Sequence, residues 1–162
     1  SPAAMCRKIA LVEDGGEIEV WGDGEQTRSY CHVDDCVEGI YRLMRSDFRD
    51  PLNLGQDRLI SVNELVDMVA KAAGKTVRRT HNLTAPQGVR GRNSDNDLLR
   101  KTLGWEPSIS LEDGLARTYK WIRSEMAKHP ETYGALPGPR VKSSPRKPER
   151  ESADATPVAA LR

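Results

Sequence analysis

Two segments place arginines beside glycines, in patterns that suit the binding of a negatively charged ligand. The first segment is residues 22–28, GDGEQTR, and the second is residues 88–95, GVRGRNSD. A guanidinium group can fork onto two phosphate oxygens, and the amides at a helix N-terminus attract anions. The second segment just precedes a predicted helix. Because a diphosphate carries two negative charges, we interpret the two arginine-bearing segments as parts of one diphosphate site. A plain β-turn and a solvated basic loop are the alternatives.

Other residues suggest less chemistry. Residues 2–8, PAAMCRK, place Lys8 as a further candidate phosphate ligand, and a helix with its basic face in water is the alternative. We interpret His32 as a structural histidine, Asp34 as a helix cap and Cys6 as a thiol without a local base. The three cysteines form no CxxC pair, so we expect neither a disulfide framework nor a zinc site.

The elements that would hold these segments alternate between strands and helices. Apolar spacing and capping residues predict strands over 17–20, 29–33 and 76–80, and helices that begin at Asp34, Ser61, Ser94 and Ser110. Ser61 and Glu64 form a capping-box pattern, and Gly74 suits the residue after a helix. Apolar residues at helical spacing are Val37, Ile40, Tyr41 and Met44, and the predicted core includes Trp105 and Trp121. This alternation predicts an α/β or α+β fold.

Composition excludes several classes of protein. The 162 residues are 37% hydrophobic, with 25 Lys+Arg against 24 Asp+Glu. No apolar run reaches the roughly 20 residues of a membrane-spanning helix, and no secretory signal opens the sequence. A net charge of +1 gives no support for nucleic-acid binding. We therefore expect a cytoplasmic protein with neither a membrane nor a nucleic acid as its partner.

The composition changes near residue 129. Residues 129–162 are rich in Pro, Ser, Lys and Arg. Such a segment cannot bury enough apolar area to offset the entropy that it would lose on ordering. We therefore divide the chain into a folded domain, residues 1–128, and a disordered tail, residues 129–162.

Taken in order, these segments resemble a known family. The stretch WGDGxQTRSY, followed by Asp34-Asp35 and a Val-Glu-Gly helix, resembles the extended short-chain dehydrogenase/reductases that act on nucleotide sugars, the NAD-dependent epimerase/dehydratase family. PAAMCRK and GVRGRNSD are similar to segments of its GDP-mannose 3,5-epimerase branch. The resemblance covers residues 1–128 and implies that they form a nucleotide-sugar-binding lobe.

The resemblance implies roles for particular residues. Lys8, Gln26, Thr27 and Arg28 match substrate-binding positions, and Arg92 matches an arginine that holds the diphosphate of a GDP-sugar. In the intact enzyme, the resemblance implies that NAD oxidises the sugar at C4 before epimerisation at C3 and C5. It also implies a homodimer, and it assigns no catalytic, cofactor-binding or metal-binding residue to this chain.

The departures from the family pattern are equally informative. The 162 residues contain no GxxGxxG, and no tyrosine is followed by a lysine four positions later. We therefore expect an α/β fold that is the C-terminal substrate-binding part of an extended short-chain dehydrogenase/reductase. The NAD site then lies in a separate N-terminal Rossmann half, and this chain alone is predicted to be inactive. A non-catalytic nucleotide-sugar-binding module and a fragment of a different nucleotide-sugar epimerase or dehydratase are the alternatives.

Overall fold

The computed structural model describes residues 1–138, in which helices and strands alternate as predicted. The elements are α1 (Pro2–Leu11), β1 (Glu17–Trp21), β2 (Thr27–Arg28), α2 (Val33–Arg45), β3 (Ile60–Ser61), α3 (Val62–Ala73), β4 (Arg78–Asn82), β5 (Gly91–Arg92), α4 (Asp97–Leu103), α5 (Leu111–Lys128) and α6 (Pro130–Tyr133). No helix among these residues is long and apolar enough to cross a membrane.

Helices α1, α3 and α5 pack against one another and enclose the main core. Each helix contributes an apolar stripe, as the periodicity of the sequence predicts. The most completely buried side chains include Cys6 and Ile9 from α1 and Leu65, Val66 and Val69 from α3. This three-helix core supports two small sheets at its surface.

The two sheets differ in the number and direction of their strands. Strands β1 and β4 pair in parallel over five residues, from Glu17 with Arg78 to Trp21 with Asn82. Strand β2 lies at the centre of a second sheet, antiparallel to β3 and parallel to β5. Each strand of the second sheet is only two residues long, and the sheet joins three segments that are far apart in the sequence.

The predicted helix starts at Ser61 and Ser110 are confirmed, and those at Asp34 and Ser94 are wrong. Ser61 and Glu64 form the expected capping box, and Gly74 ends α3 with a φ of 65°. Helix α2, however, is capped by His32, whose Nδ1 accepts from the Asp34 amide at 3.2 Å. The strand predicted over 29–33 is therefore shorter and earlier, at 27–28, because the chain must turn into α2.

The predicted burial of Trp121 is wrong, and the apolar residues of α2 lie on an exposed face. Trp121, which was expected in the core, is 65% exposed on the outer face of α5. On α2 the apolar residues at helical spacing form an exposed stripe, which we call the α2 stripe: Val33, Val37, Ile40, Tyr41 and Met44. The buried face of α2 instead carries Asp35 and Gly39, and Gly39 lies against Leu54 and Trp105.

The predicted tail begins within the described residues. Pro130–Tyr133 forms the short helix α6, and Leu136 packs against the core. The chain between residues 129 and 138 thus contacts the lobe. The rest of the predicted tail, residues 139–162, lies outside the described residues.

Candidate anion-binding site

The pairing of β2 with β5 brings the two arginine-bearing segments together. Arg28 and Arg92 are register partners in these parallel strands, although 64 positions separate them in the sequence. Neighbouring strands lie about 4.8 Å apart, and register partners project from the same face of a sheet. The backbone contacts are short, since the Thr27 amide donates to the Arg90 carbonyl at 2.7 Å and the Ser29 amide donates to the Arg92 carbonyl at 3.2 Å.

The absence of a side chain at residue 91 permits this pairing. A Cβ atom on Gly91 would lie 2.9 Å from Thr27 Oγ1, which is closer than such atoms normally approach. The Thr27 hydroxyl lies 3.4 Å from the Arg90 carbonyl oxygen, to which it donates. Thr27 therefore contacts the second arginine segment directly and helps to fix its position.

The turn that precedes β2 is held between two other parts of the chain. Gly22 and Gly24 have φ values of 77° and 75°, which side-chain-bearing residues rarely adopt. A Cβ atom at Gly22 would overlap the side chain of Gln87, and one at Gly24 would overlap Asn63. The glycines therefore allow loop 84–90 and the start of α3 to pack directly onto the turn.

Arg28 and Arg92 form an unneutralised pair of cations. Among residues 1–138, no carboxylate lies within salt-bridge distance of either, whereas Arg90 is paired with Asp23 at 2.7 Å. Arg28 is half-buried, and its Nη1 donates to the Thr27 carbonyl at 2.6 Å. An anion that accepts from both guanidinium groups would neutralise two charges that the described residues leave without a carboxylate partner. The geometry suits a ligand with two neighbouring negative charges.

Tyr30 lies near Arg28 and is not among the site residues predicted from the sequence. Burial raises the pKa of its phenol, and the nearby Arg28 charge opposes part of that effect. Tyr30 also lines a cavity of about 200 Å³ together with Gln56, Arg58 and Ser108. The signal in the sequence was its position two residues after Arg28, which favours the same face of an extended segment.

Gln26 lies differently from its neighbours. Its side chain is 8% exposed, and its Nε2 donates to the Trp21 carbonyl at 3.0 Å across the turn. Its Oε1 is buried without a hydrogen-bond partner among the described residues. The side chain of Gln26 thus closes the turn from inside and points away from solvent.

Lys8 lies against the other sheet. Its Nζ donates to the Glu19 carbonyl on β1 at 3.0 Å. The structure therefore brings Thr27, Arg28 and Arg92 together and holds Lys8 against the other sheet.

The expected helix amides do not join the site. Helix α4 begins at Asp97, five residues after Arg92, rather than at Ser94. The Asp97 amide donates to the Asp95 carboxylate at 3.0 Å, so this end of the helix is already capped by an acid. The site therefore depends on guanidinium groups and not on a helix N-terminus.

Cys6, the remaining candidate nucleophile, is buried in the core. Burial raises the pKa of the Cys6 thiol to about 11, which keeps it protonated and unreactive at neutral pH. Residues 1–138 contain no cluster of three or more His, Cys, Asp or Glu that could hold a metal ion.

Solved structures of nucleotide-sugar enzymes share this fold. UDP-glucose 4-epimerase from Thermotoga maritima, solved with UDP-glucose, is 29% identical, with a TM-score of 0.70 over 77% of this chain and 40% of that one. UDP-glucuronic acid 4-epimerase from Bacillus cereus, solved with UDP-glucuronic acid and NAD, is 25% identical, with a TM-score of 0.61 over 67% of this chain and 36% of that one. The chain has the α/β fold of part of an extended short-chain dehydrogenase/reductase.

Sequence comparison identifies the family. Residues 3–118 match the GDP-mannose 4,6 dehydratase family, and the chain belongs to it. GDP-mannose 3,5-epimerase of Arabidopsis thaliana is 48% identical over 79% of this chain, which covers 33% of that protein. The resemblance seen in the sequence is therefore confirmed, and the chain spans about a third of the length of these curated relatives.

Proposed function

We propose that this chain is the GDP-sugar-binding part of a nucleotide-sugar epimerase of the GDP-mannose 3,5-epimerase type. The observation that carries the proposal is the register pairing of Arg28 with Arg92, two cations without a carboxylate partner in the described residues. A GDP-sugar carries a diphosphate, whose two charges match the pair. Each charge-assisted hydrogen bond is worth about 1.5–3 kcal/mol.

The remaining predicted ligands have supporting roles in this proposal. Thr27 fixes the second arginine segment and lies beside the diphosphate, while Gln26 holds the turn closed from below. Lys8 contacts the substrate from α1 when its bond to the Glu19 carbonyl is exchanged for one to the ligand. The lobe contributes positioning, because binding of a remote diphosphate holds the sugar in a fixed place for chemistry elsewhere.

We further propose that NAD binds to a separate Rossmann half of the intact enzyme. The glycines of the Trp21–Gln26 turn do not form an open cradle for a dinucleotide, since Gln87 and Asn63 fill the space beside them. This turn therefore does not offer an open glycine-rich loop to NAD, which supports the proposal of a separate NAD site. We assign no part of the C4 oxidation implied by the resemblance to any residue of this chain.

The α2 stripe supports the proposal of a missing partner half. Its five apolar side chains are 48–76% exposed, so covering them would add part of the roughly 1.5–3 kcal/mol that full burial of such a side chain contributes. The relatives are about three times as long as the aligned part of this chain, and a Rossmann half of that kind is the proposed cover for the stripe. A homodimer of the intact enzyme and a cytoplasmic location belong to the same proposal.

Calorimetric titration of the 162-residue chain tests the proposed function. We expect GDP-mannose to bind more tightly than UDP-glucose and free mannose not to bind. Equal binding of GDP-mannose and UDP-glucose would favour an enzyme for a different nucleotide sugar. A chain that binds neither nucleotide sugar would refute the proposal.

A further inference from the structure

We propose that Asp23, an acid next to an anion site, is a positioning residue that holds the strand bearing Arg92 beside Arg28. Asp23 does this through its ion pair with Arg90, and it does not touch the ligand. The inference rests on the proposed function, because it concerns the geometry of the same pair of arginines.

Both oxygens of the Asp23 carboxylate are engaged. Oδ2 accepts from Arg90 Nη1 at 2.7 Å, and Oδ1 accepts from the Glu25 amide at 2.9 Å. The hydrogen bond from Arg90 holds the pKa of Asp23 below its usual value. The carboxylate is therefore ionised at neutral pH and has a fixed orientation within the turn.

Arg90 is held at two points, immediately before β5 begins. Its guanidinium group binds Asp23, and its carbonyl accepts from the Thr27 amide at 2.7 Å. Only Gly91 separates this anchor from Arg92. Movement of Arg90 away from the turn would therefore change the register that aligns Arg92 with Arg28.

The turn that presents Asp23 is attached to a long helix. The Asn63 side chain near the start of α3 donates to the Asp23 carbonyl at 3.2 Å, and the Asn63 amide donates to the Gly24 carbonyl at 3.1 Å. Asp23 thus links the buried framework of α3 to the segment that carries Arg90 and Arg92.

Simple electrostatics predicts the opposite effect of Asp23 on anion binding. An acid near a bound anion repels it, so reversing that charge should tighten binding. If the carboxylate acts by positioning, the same reversal places two cations against each other, displaces Arg90 and weakens binding. The sign of the change therefore separates the two roles.

The test is calorimetric titration of the 162-residue chain with inorganic pyrophosphate. The proteins compared are the wild type, Asp23→Arg, Arg90→Asp and the swapped double variant. Because the pair is exposed and its contribution is small, we expect each single variant to bind about 3- to 5-fold more weakly. The double variant restores an ion pair, and we expect its affinity to return to within about 2-fold of the wild type.

Thermal unfolding followed by circular dichroism distinguishes lost positioning from lost folding. If Asp23→Arg does not fold, Asp23→Asn provides the same test, because it keeps an oxygen for the Glu25 amide and removes the charge. Unchanged or tighter pyrophosphate binding by the folded Asp23 variant would overturn the inference, as would a swapped variant that recovers nothing. A wild type that binds no pyrophosphate would overturn this inference, and the proposed function would fall with it only if GDP-mannose and UDP-glucose also fail to bind. Binding that depends on Arg28 but not on Asp23 would overturn this inference alone.

Discussion

Replacement of either paired arginine by alanine should weaken GDP-mannose binding by about 10- to 150-fold. Arg28 and Arg92 each offer a charge-assisted contact worth about 1.5–3 kcal/mol, and every 1.4 kcal/mol is tenfold in affinity. Lysine at either position should recover only part of the loss, since an ammonium group cannot fork onto two oxygens. Calorimetric titration of the 162-residue chain gives both values.

The matched control is Arg78→Ala, which removes the same charge from an exposed position on β4 in the other sheet. We expect the control to bind within about 2-fold of the wild type, because exposed charges farther away than the Debye length of about 8–10 Å are largely screened.

The double variant tests whether one diphosphate bridges the pair. Arg28 and Arg92 are direct neighbours across β2 and β5, so their effects should couple by at least about 0.5 kcal/mol in a double-mutant cycle. Strictly additive losses would mean that the two arginines serve separate ligands. Losses no larger than that of Arg78→Ala would refute the reasoning and leave both segments as solvated surface.

Four further predictions concern the Glu64 capping interaction, the α2 stripe, catalytic activity and cleavage by trypsin. The pKa of Glu64 is lowered because its carboxylate accepts a hydrogen bond from the Ser61 amide. The stability that this bond contributes is present above about pH 4.3, the pKa in the unfolded chain, and is lost as the pH falls through the lower pKa of the folded protein. Glu64→Ala should therefore lower the melting temperature by about 2–4 °C at pH 7, as expected for about 0.5–1 kcal/mol, and by much less at pH 2. Ile40→Lys in the exposed α2 stripe should change the free energy of unfolding by less than about 0.5 kcal/mol and reduce binding of an apolar dye, whereas Val66→Lys in the core should prevent folding. The chain incubated with NAD and GDP-mannose in deuterated water should introduce no deuterium at C3 or C5, because its sequence holds no Tyr-x-x-x-Lys pair, and mass spectrometry of the recovered sugar checks this. Trypsin should cut first within residues 140–147, as their composition predicts, and early cuts within the first 128 residues would contradict that prediction.

Local signals in the sequence predicted the helices better than the sheets. Ser61, Glu64 and Gly74 are capping residues whose geometry depends on a few neighbouring positions, and the structure has them as expected. The strand around Arg28 was misplaced because its partners, at residues 60–61 and 91–92, are distant in the sequence. Short strands are determined by such distant partners more than by their own residues.

The same distinction applies to the candidate site. Arg28 and Arg92 could be chosen because a guanidinium beside glycine suits phosphate wherever the two segments lie. The anchoring role of Asp23 could not be predicted, since it depends on a contact with Arg90, 67 positions away. The exposure of the α2 stripe could not be predicted either. Apolar residues at helical spacing indicate that one face of a helix is covered, but they do not identify what covers it.

Binding of a GDP-sugar across β2 and β5 would change the chemical environment of those strands, which a chemical-shift map measures. GDP-mannose is added to the ¹⁵N-labelled 162-residue chain, and amide shifts are followed by NMR spectroscopy. We expect the largest shifts at residues 27–30 and 90–93, with little change along the outer face of α5 around Trp121. Shifts centred on α5, or none at saturating GDP-mannose, would contradict binding at these strands.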